Sequence, residues 1–280
     1  MNEIRDIKNI GLNIIKWFFL LILLTVALLP FLWVILSSLR TNFELQVSPF
    51  GLPKVPQWGN YLNALQMADL PRLLINSLLV ATFTVILNSF VTSMASFVLS
   101  REYFKGRDVL YTLFTAGILI PVISFMVPYF TLITRVKLYN TLAALVIVYT
   151  AVNIPVSIFL QTNFMKALPK EIEEAAIIDG CGFYKRFFSI VFPMSKSGIV
   201  TAGTFCFTYA WNEFTMAMLL TSSINSRTVQ LGIKFFTSQF ITDYGSMYAA
   251  IVVAIIPSIV IYAFLHDQII GGVTAGSVKG

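Results

Sequence analysis

The chain has 280 residues, of which 57% are hydrophobic and 11% charged, and its formal net charge is +6. Soluble domains carry about a quarter charged residues, so this balance excludes an ordinary water-soluble enzyme or binding domain and points to a chain whose solvent is largely lipid. The positive charge follows the placement of lysine and arginine along the chain and gives no reason to expect nucleic-acid binding.

Six stretches reach the roughly 20 apolar residues needed to cross a bilayer core: 17–36, 73–99, 109–133, 141–161, 198–220 and 247–265. The first follows Arg5, Lys8 and Lys16, as a secretory signal would. Its apolar run exceeds the roughly 7–15 residues of a signal core, and Ser37-Ser38-Leu39-Arg40 is a poor cleavage site, so it reads as an uncleaved helix. Pro49, Pro53, Pro56 and Pro71 then mark an ordered external loop. A short interfacial helix is expected around 58–68, where Trp58 and Tyr61 suit the headgroup level.

The second span carries Ser77, Thr84, Asn88, Ser89, Thr92, Ser93 and Ser96. Small polar residues at such spacing let helices approach closely and bond across the contact, so packing is the first expectation and a solute-facing surface the second. Pro30, Pro121, Pro128, Pro155 and Pro257 lie inside spans. Each removes a backbone donor and favours a kink, which is either structural or shapes a pathway.

Glu213, in the fifth span, is the only carboxylate within any span. At about 1.5 Å per residue from Gly198 it falls in the outer half of the bilayer. A carboxylate there ties helices together beside Asn212, lines a solute path, or couples ions, in that order of expectation. Asn88, Asn153, Asn212 and Glu213 are the candidate path residues. His266 marks the inner end of the sixth span. Cys181 in a loop and Cys206 in a helix are not placed to pair, and no Cys/His spacing suggests a metal site.

With the N-terminus inside, twelve of the nineteen lysines and arginines lie on inner segments, which favours both termini in the cytoplasm. The one long inner segment is then 166–196. Pro169 suits a first helical turn, and Glu171, Glu173 and Glu174 follow near the positive end of the helix dipole. Ala175 and Ala176 give a face of little bulk, and Gly180 after Asp179 can take the left-handed turn that ends a helix. Phe183, Phe187, Phe188 and Val191 mark a second amphipathic stretch, with Lys185 and Arg186 elsewhere on it. Pro193 closes it. By physics alone this is either a helix lying on the membrane surface or a rigid element for a partner's socket.

The spacing Glu174-Ala175-Ala176, Gly180, Ile190 and Pro193 resembles the EAA loop of bacterial ABC importer permeases, with Phe192 where that pattern usually has leucine. Trp211-Asn212-Glu213-Phe214 resembles a signature of carbohydrate-importer permeases. The tail Gly271-Gly272-Val273-Thr274-Ala275-Gly276-Ser277-Val278-Lys279-Gly280 resembles the ending of the smaller permease in maltose-type two-permease systems, and the stretches 51–61 and 76–78 fit the same family.

That resemblance implies an all-α membrane protein of type I ABC importer permease architecture, a single transmembrane domain over 1–280. It also implies four kinds of partner: a homologous second permease, two ATPase subunits, an extracytoplasmic solute-binding protein and a carbohydrate, with an oligosaccharide the first expectation. The coupling helix would be Glu174–Gly180, with Glu174 meeting a basic ATPase residue. The tail 271–280, through Thr274, Ala275, Gly276 and Lys279, would reach between the ATPase subunits. The external loop would meet the binding protein at Thr228, Val229, Gln230 and Leu231. No Walker-type GxxxxGK[ST] pattern occurs, so ATP and magnesium would be bound by the partner subunits and the chain would not itself be an enzyme. The alternatives are an ion-coupled secondary transporter or channel, which leaves the inner segment unexplained, a membrane-bound enzyme, and a permease for a polyol or glycerol phosphate.

Overall fold

The computed structural model describes residues 2–67, 69–236 and 243–277, and among these the regular structure is helical. The long helices are α1 (Asn2–Ser38), α4 (Leu70–Arg101), α7 (Leu142–Ala167) and α14 (Tyr244–Ser277). Each contains a stretch long and apolar enough to cross a membrane. Between them lie α2 (Asn42–Val47), α3 (Gly59–Met67), α5 (Arg107–Ala116), α6 (Met126–Arg135), α8 (Glu171–Ile178), α9 (Phe183–Arg186), α10 (Phe192–Met194), α11 (Lys196–Asn212), α12 (Thr215–Leu220) and α13 (Val229–Ile233).

Two expected spans are broken. The stretch 109–133 is two helical pieces, Arg107–Leu119 and Val122–Arg135, bent by 99°. The residue before a proline is pushed out of the helical region, and Ile120 is extended (φ −89°, ψ 122°) ahead of Pro121. Pro30, Pro155 and Pro257 instead sit inside continuous helices, and Pro128 lies in the first turn of α6, where its missing donor costs little. The stretch 198–220 breaks at Glu213 and Phe214 into α11 and α12.

The chain falls into two compact units, one drawn from Met1–Asp69 and Phe235–Val253, the other from Leu70–Lys234 and Ala254–Gly280. In the first unit, the residues after α1 wrap around Arg40, whose guanidinium is buried and donates to the carbonyls of Glu44, Ser48 and Pro49. Thr41 caps α2 in a reciprocal box with Glu44, and the Thr41 N–H holds the Glu44 carboxyl below the usual carboxylate range. Asn60, on α3, donates to the carbonyls of Ser38 and Arg40.

In the second unit, α4 packs lengthwise against α7 and α11. Asn88, Thr92, Ser93 and Ser96 are fully buried, and Asn88 and Thr92 are bonded across to α7. Ser157 donates to Asn88 Oδ1 at 2.6 Å, Asn88 Nδ2 to the Thr150 carbonyl at 3.2 Å, and Gln161 Nε2 to Thr92 Oγ1 at 3.0 Å. Such interhelical bonds contribute about 0.6 kcal/mol each in a membrane protein. Small residues allow the approach: a Cβ on Gly203 of α11 would sit 3.3 Å from Val85 Cγ1 of α4.

Candidate functional site

The inner segment begins where α7 ends, at the extended residue Leu168. Three acids lie in the first turn of α8, near the positive end of its dipole, and Glu174 N–H donates to the Lys170 carbonyl at 3.0 Å. At the other end, Cys181 N–H donates to the Ala176 carbonyl at 2.9 Å and Gly180 N–H to the Ile177 carbonyl at 3.0 Å. Gly180 has φ +80°. This is the paired-bond stop in which a left-handed glycine satisfies the last carbonyls, and it turns the chain sharply into α9.

α8 has an inner and an outer side. Glu173 and Ala176 are buried, while Glu174, Ala175, Ile177, Asp179 and Gly180 are exposed and Ile178 reaches 86% exposure. On this helix and its corner the outward set is thus Glu174, Ala175, Asp179 and Gly180, and Ala176 belongs to the base. Beneath it, Phe97 and Met165 pack with Phe187 and Val191. The latter two are brought to one face by a single π turn over Phe187–Val191, which leaves Phe183 and Phe188 exposed and Ile190 half-buried. Pro193, exposed, lies within α10.

Sequence reasoning treated Glu173 only as a first-turn acid. In the structure its carboxylate pairs with Arg101 Nε at 2.7 Å. Burial pushes the Glu173 carboxyl up, and the Arg101 and Arg186 charges oppose that shift. Arg101 also donates to the Leu168 carbonyl at 3.1 Å, and Arg186 of α9 pairs with Glu102. The signal in the sequence was the three-residue step from Glu173 to Ala176, which puts both on one face of α8.

Trp211-Asn212-Glu213-Phe214 occupies the α11–α12 break. Trp211 is buried, stacks on Phe207 and donates from Nε1 to the Ala254 carbonyl at 3.1 Å. Glu213 ends α11 in an extended conformation and folds its carboxylate over the start of α12. There it accepts from Met216 N–H at 2.8 Å, Ala217 N–H at 3.0 Å and the Tyr149 hydroxyl at 2.7 Å. Asn212 is exposed and donates to the Thr208 carbonyl at 2.9 Å. The carboxylate inside the apolar stretch therefore supplies the cap that a broken helix needs. The other two candidate path residues, Asn88 and Asn153, are buried, and Asn153 donates to the Tyr149 carbonyl at 2.8 Å.

On the outer side, Thr228, Val229 and Leu231 are buried and Gln230 is half-buried. Val229 N–H donates to Ser77 Oγ at 2.8 Å, and Asn76 Nδ2 donates to the carbonyls of Asn225 and Arg227, both at 2.9 Å. The loop before them is pinned by Asn140, whose side-chain oxygen accepts from the N–H groups of Ser222 and Ser223, each at 2.9 Å. Gln230 donates to Asn212 Oδ1 at 3.4 Å. At the C-terminus, α14 continues through Gly271, Gly272 and Gly276 to Ser277. Thr274, Ala275 and Gly276 are therefore helical, and Lys279 lies outside the described residues.

Residues 89–273 match the family described as binding-protein-dependent transport system inner membrane component. A putative ABC transporter permease protein (ORF2) of Caldicellulosiruptor sp. (strain Rt8B.4) is 37% identical over 268 residues, 95% of this chain and 97% of its own length. The diacetylchitobiose uptake system permease protein NgcG of Streptomyces coelicolor is 33% identical over 256 residues, 91% of this chain and 85% of its own. Among solved structures, a chain of a bacterial ABC transporter importing the acidic polysaccharide alginate superposes with a TM-score of 0.80 at 20% identity, covering 91% of this chain and 95% of that one. A chain of a bacterial alginate ABC transporter in complex with an alginate pentasaccharide-bound periplasmic protein superposes at 0.65 and 14% identity, over 90% and 93%. The chain belongs to the binding-protein-dependent inner membrane components, the multi-pass permeases of ABC transporters.

Proposed function

We propose that this chain is one of two homologous permeases of an ATP-driven sugar importer, with six spans and both termini in the cytoplasm. Each broken stretch counts as one span in this reading. An extracytoplasmic binding protein delivers the sugar, and two separate ATPase subunits bind ATP and magnesium and drive alternating access. The carbohydrate class is supported by a relative named for diacetylchitobiose, by the fold shared with an alginate importer, and by the resemblance of Trp211-Asn212-Glu213-Phe214 to the carbohydrate-importer signature. An oligosaccharide fits that company best.

The observation that carries the reading is the two-sided α8, whose exposed face stands on a base packed against α4 and α7. An ATPase seated on Glu174, Ala175, Asp179 and Gly180 would push on a compact helix that is itself tied to long helices, and its closure would become rigid-body motion. Helical Thr274, Ala275 and Gly276, with Lys279 beyond, form a second contact with the ATPases. The binding protein meets the outer loop at its exposed side chains and at Gln230. Thr228, Val229 and Leu231 hold that loop in place from beneath. Asn212 and Glu213 face the sugar path at the helix break, and Asn88 and Asn153 support it from within the helix packing.

The test is purification of the whole assembly through a tag on this chain, followed by uptake in proteoliposomes. Co-purification of ATPase subunits and uptake that requires MgATP and the binding protein are the expected results. Uptake by this chain alone under an ion gradient would overturn the reading in favour of a secondary transporter.

A further inference from the structure

The segment carrying α8 and α9 is joined to α4 by two ion pairs of opposite order. Arg101, the last residue of α4, pairs with Glu173 on α8 at 2.7 Å, and the two side chains are 3% and 9% exposed. The next residue, Glu102, pairs with Arg186 on α9. The Arg186 guanidinium also lies over the Phe97 ring at 5.5 Å, and the Arg101 Nη2 donates to the Leu168 carbonyl at 3.1 Å. Both arms of the Gly180 corner and the end of α7 are thereby fixed to one point, the inner end of α4.

A buried ion pair is weak evidence for stability, because apolar residues of similar volume often fill such a site equally well. What crossed pairs add is orientation. The end of α4 offers plus then minus, the segment answers minus then plus, and a rotated or shifted α8 brings like charges together. We infer that Arg101 and Glu173, braced by Glu102 and Arg186, are positioning residues of the transport cycle: they lock α8 to α4 so that displacement of α8 moves α4 instead of bending the segment. This rests on the reading of α8 as the ATPase-docking helix. In it, Glu174 faces the partner and Glu173 faces the chain's own helix.

The experiment uses the assembled transporter, with spin labels at Glu171→Cys, exposed on α8 outside the docking face, and Lys105→Cys in a Cys181→Ser, Cys206→Ala background. With the native pairs, the inter-label distance is narrow and unchanged when MgATP and vanadate trap the ATPases closed. In Glu173→Gln the distribution is expected to widen at least twofold on trapping, while ATPase subunits co-purify at native stoichiometry and basal MgATP hydrolysis stays within twofold. Arg101→Lys, which keeps the charge, recovers a narrower distribution than Arg101→Ala. Glu102→Gln, which breaks the more exposed pair, gives a smaller widening and supplies the reading should the buried variants fail to assemble. A distribution that stays narrow and unmoved by trapping in Glu173→Gln, or in Glu102→Gln if only that variant assembles, overturns the inference. Glu174→Lys separates the two readings. If it retains its ATPase subunits and full uptake, the docking reading fails. If it loses them while Glu173→Gln keeps native distances, only the lock fails.

Discussion

The inner segment around α8 and the outer segment around α13 are both polar stretches joining apolar spans, and both read from sequence as partner-facing. Their structures differ in which side of each is spent on the chain itself. α8 buries Glu173 and Ala176 and leaves Glu174, Ala175, Ile177 and Ile178 outside. α13 does the reverse, burying Val229 and Leu231 with the preceding Thr228 and leaving Gln230 half-exposed. The inner segment is a pedestal with a free top, whereas the outer one is a plug held down by Asn76, Ser77 and Asn140. Polarity marks a segment as extramembrane. The helical phase decides which of its residues can meet a partner.

The largest effect should follow from damage to the free top. Glu174→Lys or Gly180→Leu is expected to reduce uptake at least tenfold while the membrane helices remain folded, as judged by circular dichroism of the purified chain. Leucine at φ +80° adds left-handed strain of about 1–2 kcal/mol. Next in size is the base. Arg101→Ala leaves Glu173 buried without its partner, and losing one member of a buried pair costs about 3–5 kcal/mol, visible as a lowered unfolding temperature in detergent.

The plug should respond in stability before it responds in docking. A Cβ on Gly232 would collide with Leu73 Cδ1, so Gly232→Ala overpacks the contact by about 1–3 kcal/mol. Asn76→Ala removes two bonds and should cost about 1–3 kcal/mol while raising protease cleavage within 221–234. The smallest effect belongs to Gln230→Ala. Its stability change should stay within about 0.5 kcal/mol, so any loss of binding-protein affinity in that variant reports a direct contact. If Gln230→Ala destabilised the chain as much as Gly232→Ala, the distinction between plug and exposed edge would fail.

The long helices were legible because apolar length is a property of sequence alone. α1, α4, α7 and α14 each contain the stretch that composition marks, and α3 lies within the interfacial helix expected beside Trp58. The breaks were not, since a proline does not announce whether neighbours will absorb it. Pro155 and Pro257 stay within helices, and Pro121 ends one. Glu213 was recognisable as unusual, and the structural role was the first expectation. Its task as a cap for α12 needed the extended backbone at 213 and the nearby Tyr149 hydroxyl. Likewise, the EAA spacing located α8 and its glycine stop, but not the pairing of Glu173 with Arg101, 72 positions earlier in the chain. Local motifs survive in one dimension. Ion pairs between the ends of different helices do not.

The most direct measurement places a photo-activatable cross-linking residue at Ile178, the most exposed apolar position on α8, and in a second variant at Thr228 in the plug. In the assembled transporter, Ile178 should capture an ATPase subunit in high yield and Thr228 only its own chain. Capture of lipid alone at Ile178, with the ATPases present and active, would contradict the docking of α8 on which the account depends.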